Sequence, residues 1–218
     1  MKKRPDGTGM QHDQRTSVII AFASALIVLA LSIASYSRNL LWHDPVTLWK
    51  DTIRNSPGKA RPRYNLANWY EKHGFLDLAA ENYRSTISLK PDDEKAHNNL
   101  GNVYLAQEDL EGAIRAFEAA LKIRPDAPLT HDNLGYVYFK QGLLNEAIRE
   151  YQTALKLAPD IAEIHNNLGY AYLTQGRLDD AGQEFLAALK LKPDFPAVRD
   201  NMDLLERAIG RQKRRDDR

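Results

Sequence analysis

The side chains best suited to chemistry are few and widely separated. His97, His131 and His165 stand at one fixed interval, and two acidic runs occur, Asp92-Asp93-Glu94 and Asp179-Asp180. Imidazoles and carboxylates together suit a zinc ion, but ligands must converge to about 2 Å from one metal. Histidines thirty-four residues apart do not converge and read as helix-packing residues. The acidic runs fall where apolar periodic segments begin, and carboxylates there cap helix starts and favour their dipoles. No phosphate-cradling glycine loop, GxSxG elbow or HExxH pair occurs. The 218 residues contain no cysteine, which excludes disulfides, thiolate metal sites and a cysteine nucleophile. The expectation is a protein that is not an enzyme, with no catalytic residue, metal or cofactor. A formal net charge of +1 removes the strongly basic surface of a nucleic-acid binder, so no nucleic acid is expected. Arg211, Lys213, Arg214, Arg215 and Arg218 form a short basic tail, interrupted by Asp216 and Asp217, and read as solvated and disordered.

The elements that position these residues follow from one period. Pro57, Pro91, Pro125, Pro159 and Pro193 lie thirty-four residues apart. Aligned on them, other columns appear: Leu66, Leu100, Leu134 and Leu168; then Ala67, Gly101, Gly135 and Gly169; then Tyr70, Tyr104, Tyr138 and Tyr172. Further on stand Ala79, Ala113, Ala147 and Ala181, followed by Tyr83, Phe117, Tyr151 and Phe185. Each unit holds two helical patterns divided by a short turn. Small residues let the two helices approach closely, and the aromatic fills the space beside that contact. The proline cannot continue a helix, so it fixes where the second one stops.

These columns resemble the tetratricopeptide repeat (TPR) family. The resemblance implies an all-α chain with four full repeats, 60–93, 94–127, 128–161 and 162–195, stacked as an α-solenoid. Capping helices are expected at each end, within 38–59 and at 196–210, with the tail at 211–218. Histidine or Arg63 replaces the usual large aromatic at the fourth position, and Gly112 and Gly182 are expected to weaken second helices by about 1 kcal/mol each.

In TPR proteins the first helices line a concave groove. By position, the resemblance places Asn65, Asn99, Asn133, Asn167 and Asn201 in the sixth column, similar to the asparagine ladder of O-linked N-acetylglucosamine transferase. An amide offers both donor and acceptor to the backbone of an extended peptide. It can equally serve local architecture, and the sequence leaves both roles open. The fifth and ninth columns add Tyr64, Asn68, Asn98, Asn102, Asp132, Tyr136, Asn166 and Tyr170 to the groove. The twelfth adds Leu105, Phe139 and Leu173. Arg61, Lys72, Lys95 and Lys140 are too few for a carboxylate clamp. The expected partner is therefore an extended, near-neutral protein or peptide segment.

A different solvent governs the N-terminus. Residues 16–37 contain no charge and lie between Arg15 and Arg38. Twenty-two helical residues span roughly 33 Å, the thickness of a bilayer core. Ten are Val, Ile, Leu or Phe, each favouring insertion by roughly 0.3–0.6 kcal/mol, which outweighs the serines. A transmembrane helix at 16–37 is expected after a cytoplasmic leader, 1–15. The alternative is a signal sequence cleaved near Ser32-Ile33-Ala34, leaving a secreted protein. Lys2, Lys3, Arg4 and Arg15 outnumber Arg38 and Lys50, which predicts a cytoplasmic N-terminus and an extracytoplasmic TPR part. In a two-membrane bacterium that part is periplasmic. Residues 42–66 resemble the junction between membrane helix and repeats in TPR-bearing multi-spanning O-mannosyltransferase-like proteins. The sequence therefore points to a single-pass membrane scaffold that recruits or assembles partners, or to a non-catalytic accessory subunit of an envelope glycosyltransferase.

Overall fold

A computed structural model describes residues 8–41 and 44–216, with side chains over 17–37 and 44–215. The described residues form eleven helices and no strand. They divide into two units, Met1–Asn55 and Ser56–Arg218.

The first unit holds α1 (Thr8–Leu41) and α2 (Pro45–Asn55). Within α1, Ser17–Ser37 is the one described segment long and apolar enough to cross a membrane, and none of it is buried against protein. The helix runs past the apolar stretch at both ends. A bond from Ser24 Oγ to the Ile20 carbonyl, at 2.8 Å, satisfies one of its hydroxyls within the helix. Asp44 starts α2 by accepting from the backbone N–H of Val46 and Thr47, and Pro45 fills the first turn. The helix expected as an N-terminal cap therefore exists, in the first unit and with no fully buried residue. Trp42 of the junction lies outside the described residues.

The second unit stacks helix pairs. These are α3 (Ala60–Lys72) with α4 (Leu76–Leu89), and α5 (Glu94–Ala106) with α6 (Leu110–Ile123). Next come α7 (Pro128–Lys140) with α8 (Leu144–Leu157), and α9 (Ala162–Gln175) with α10 (Leu178–Leu191). A last helix, α11 (Pro196–Asp216), follows. Within a pair the small-residue column is required by contact. A Cβ added at Gly101, Gly135 or Gly169 would come within 2.6 to 2.8 Å of Phe117, Tyr151 or Phe185. Those rings are buried at the centre of each pair.

The turns repeat as well. Gly74, Gly142 and Gly176 adopt φ near +80°, the left-handed end of a helix that glycine tolerates, while Glu108 holds φ 62° at the same column. Helix ends are satisfied there, since Phe75, Asp109, Leu143 and Arg177 donate to the carbonyls of the tyrosine column at 2.9 Å.

The fourth column does more than pack. His97, His131 and His165 place Nε2 at 2.9 to 3.0 Å from the carbonyls of Pro91, Pro125 and Pro159. Arg63 and Arg199 reach Pro57 and Pro193 in the same way. Each side chain pins a first helix to the turn before it. His131 and His165 also set Nδ1 at 2.7 and 2.6 Å from Glu150 and Glu184 of the partner second helix.

Two expectations are corrected. Gly112 lies in the first turn of α6, where its N–H caps onto Asp109 at 2.8 Å and a Cβ would strike that carboxylate at 2.2 Å. It is a capping position and not an interior weakness. The tail from Arg211 is helical to Asp216, as the continuation of α11. Lys213, Arg214 and Arg215 occupy the last turn, where cations complement the helix dipole. Val198 and Leu205 of α11 are buried with Ala181 and Phe185 of α10, covering the final pair.

Candidate peptide-binding groove

Consecutive first helices touch: α5 meets α7, α7 meets α9, and α9 meets α11, while second helices form no such row. The first helices therefore make one continuous wall. Along α5, α7 and α9 the side chains left exposed recur at fixed positions. They are Lys95, Leu129 and Glu163 at the second, Tyr136 and Tyr170 at the ninth, and Ala106, Lys140 and Thr174 at the thirteenth. Spacings of seven and four put these on one helix face. Leu129 is 60% exposed, Tyr136 42% and Tyr170 38%, and the Tyr170 ring lies 5.4 Å from that of Phe139.

The asparagine column is engaged elsewhere. Asn99 Nδ2 donates to Asn68 Oδ1 at 3.1 Å, to the Tyr64 hydroxyl at 3.2 Å and to the Tyr83 hydroxyl at 3.3 Å. Asn133 donates to Asn102 at 3.1 Å, Asn167 to Asp132 at 3.0 Å, and Asn201 to Asn166 at 2.8 Å. Apart from the bond to Tyr83 on α4, each of these crosses from a first helix to the first helix before it. Asn98 accepts from Thr130 at 3.1 Å and completes the seam. The side-chain amide of Asn65, on the first helix of the stack, has no hydrogen-bond partner among the described residues. Of the residues expected in the groove, Tyr136 and Tyr170 are exposed, and the amides and Asp132 are half-buried.

Electrostatics follow from that burial. The Tyr83 hydroxyl is held well above its usual range by burial, reinforced by its bond to the Glu71 carboxylate. Burial also raises Asp132, and Glu163 adds to the effect while the bond from Asn167 opposes it. Glu163 is lowered, chiefly by its 2.8 Å bond from Lys192. Leu129 and Glu163 are absent from the expected groove residues, although a signal was available: they precede the ninth-position tyrosines by seven residues. No group of residues able to hold a metal occurs among the described residues.

Family models match this architecture directly. A "TPR repeat" model matches residues 72–108, 101–142 and 135–176, and a "Tetratricopeptide repeat" model matches 162–195. The chain belongs to the tetratricopeptide repeat family. Among solved structures, a thermophilic TPR protein of Thermus thermophilus is similar, with 26% identity, coverage of 75% of this chain and 88% of that one, and a TM-score of 0.59. MamA from Desulfovibrio magneticus RS-1 shares the fold at 21% identity, over 72% of this chain and 90% of that one, with a TM-score of 0.66. The Cut9–Hcn1 hetero-tetramer of the APC/C matches at 26% identity and a TM-score of 0.64, over 73% of this TPR chain and 32% of the matched one. No curated protein matches. The resemblance of the junction to O-mannosyltransferase-like proteins finds no support among these relatives.

Proposed function

We propose that the chain is a single-pass membrane scaffold that holds an extended polypeptide segment along the wall of first helices and so recruits or assembles partners at the membrane. One observation supports the binding role: exposed side chains of consecutive first helices fall on one face, and Leu129, Tyr136 and Tyr170 are among them. Large aromatic side chains left open on a rigid wall are the kind of anchor a peptide buries on binding. The anchoring role rests on Ser17–Ser37, whose apolar side chains meet no protein. In a bilayer such a helix satisfies its backbone internally and buries its side chains in lipid. The excess of Lys and Arg before the helix favours a cytoplasmic N-terminus and an extracytoplasmic groove.

The experiment is capture of a randomised peptide library by the detergent-solubilised full chain. Tyr136→Ser with Tyr170→Ser is expected to abolish capture while leaving the thermal midpoint within about 2 °C, as for surface changes. Capture unaffected by both substitutions would show that the polypeptide binds elsewhere.

A further inference from the structure

The helix pairs are not uniform. In the first pair the Tyr83 hydroxyl meets Asn68, Glu71 and Asn99, and is fully used. Tyr151 occupies the same column of the third pair, and its ring crosses Gly135 of α7 much as Phe117 crosses Gly101. Where Asn68, Glu71 and Asn99 stand in the first pair, the third has Tyr136, Phe139 and Asn167. Asn167 donates to Asp132 and makes no bond to Tyr151. The Tyr151 side chain is 1% exposed, yet its hydroxyl has no hydrogen-bond partner among the described residues. That hydroxyl lies in the field of Asp132 and Tyr136.

Asp132 is equally incomplete. It accepts one bond, from a neutral amide, and forms no ion pair among the described residues. The charge acting on it is another carboxylate, Glu163. A half-buried carboxylate without a cation is unfavourable alone, and the Tyr151 hydroxyl, although its ring is buried, keeps contact with solvent. Together they offer two oxygen acceptors on the wall that carries the two exposed tyrosines. Tyr136 lies one turn from Asp132 on α7, and Tyr170 lies three residues along α9 from Asn167, which bonds Asp132, so both exposed tyrosines share helix faces with the residues of this seam.

We propose that Asp132 and the Tyr151 hydroxyl form a subsite for a basic side chain of the bound polypeptide, walled by Tyr136 and Tyr170. This deepens the groove reading above and rests on it. A cation would neutralise Asp132, donate to both oxygens and lie against the aromatic faces. A planar guanidinium matches that arrangement better than an ammonium. The subsite inverts a carboxylate clamp: it selects one base in a segment that elsewhere meets amides and tyrosines, and it repels an acid.

The test uses the full chain in detergent micelles and fluorescent nonapeptide pools whose flanks are randomised over neutral residues. The central residue is arginine, citrulline or glutamate. The arginine pool is expected to bind about tenfold more tightly than the citrulline pool, the scale of one charge-assisted hydrogen bond, and the glutamate pool weakest. Asp132→Asn keeps an acceptor for Asn167 and is expected to erase the arginine–citrulline difference while citrulline binding persists. Tyr151→Phe removes only a hydroxyl that bonds nothing in the protein. It is expected to narrow the preference severalfold without lowering the melting temperature, which a purely structural tyrosine would not do. Equal binding of arginine and citrulline pools by the unmodified chain overturns the subsite and leaves the groove standing. Failure of every pool to bind the folded chain overturns both.

Discussion

Asparagine has two employments in a repeat protein, and the hydrogen bonds decide between them. Asn133 sits half-buried and ties α7 to α5 through Asn102. Removing its amide leaves an acceptor unpaired at a repeat junction, so Asn133→Ala is expected to destabilise by about 1 kcal/mol. Urea denaturation followed by circular dichroism measures this, and an unchanged midpoint would refute it. A loss of ligand capture in that variant would therefore report folding as well as contact, which makes the open tyrosines the cleaner probes of binding. Asp132 behaves in the opposite sense. Burial first, and Glu163 second, raise its carboxyl above the ordinary 3.8, against the bond from Asn167. A raised folded value contributes stability that is complete below the unfolded value and is lost as pH rises through the folded one. Asp132→Asn is accordingly expected to stabilise the chain at pH 7, with the gain vanishing below pH 3.8. Denaturation midpoints of both forms at neutral and acid pH check the sign. Such a destabilising group at the proposed subsite fits the usual trade between stability and function.

Helix pairs are set by their turns as much as by their cores. Three of the four inner turns place glycine at positive φ, and the remaining one places Glu108 there. A side chain in the left-handed region costs about 1–2 kcal/mol, part of which glycine returns through its larger unfolded-state entropy. Glu108→Gly should raise stability by about 0.5–1 kcal/mol, read from the thermal midpoint. A lower midpoint would mean that the glutamate side chain contributes more than its backbone loses. The same logic explains the fourth column. The proline carbonyls at 57, 91, 125, 159 and 193 follow the point where each second helix stops, and a donor six residues on satisfies them. Arginine and histidine interchange there because either presents an N–H at that reach.

At the scale of the molecule, an apolar helix and a helical stack demand different surroundings. Full-length chain expressed in a bacterium is expected in the membrane fraction, resistant to high salt and released by detergent; chain lacking residues 1–40 is expected in the soluble fraction. Recovery of intact full-length chain without detergent would refute the anchor, and a shortened mature chain would identify a cleaved signal. What the sequence alone determined is everything periodic: the fold, the helix pairs, the small residues under buried rings and the proline stops. Periodicity reveals these because each rests on contacts that every unit makes identically. The sequence could not apportion the polar side chains. Asn99, Asn133, Asn167 and Asn201 share a column, and only the stacking of one first helix on the last shows their donors turned toward the preceding unit. Likewise Tyr83 and Tyr151 are one residue type at one position. Their difference lies in neighbours distant in the chain, and tertiary packing alone brings those neighbours to one hydroxyl while leaving the other without a partner.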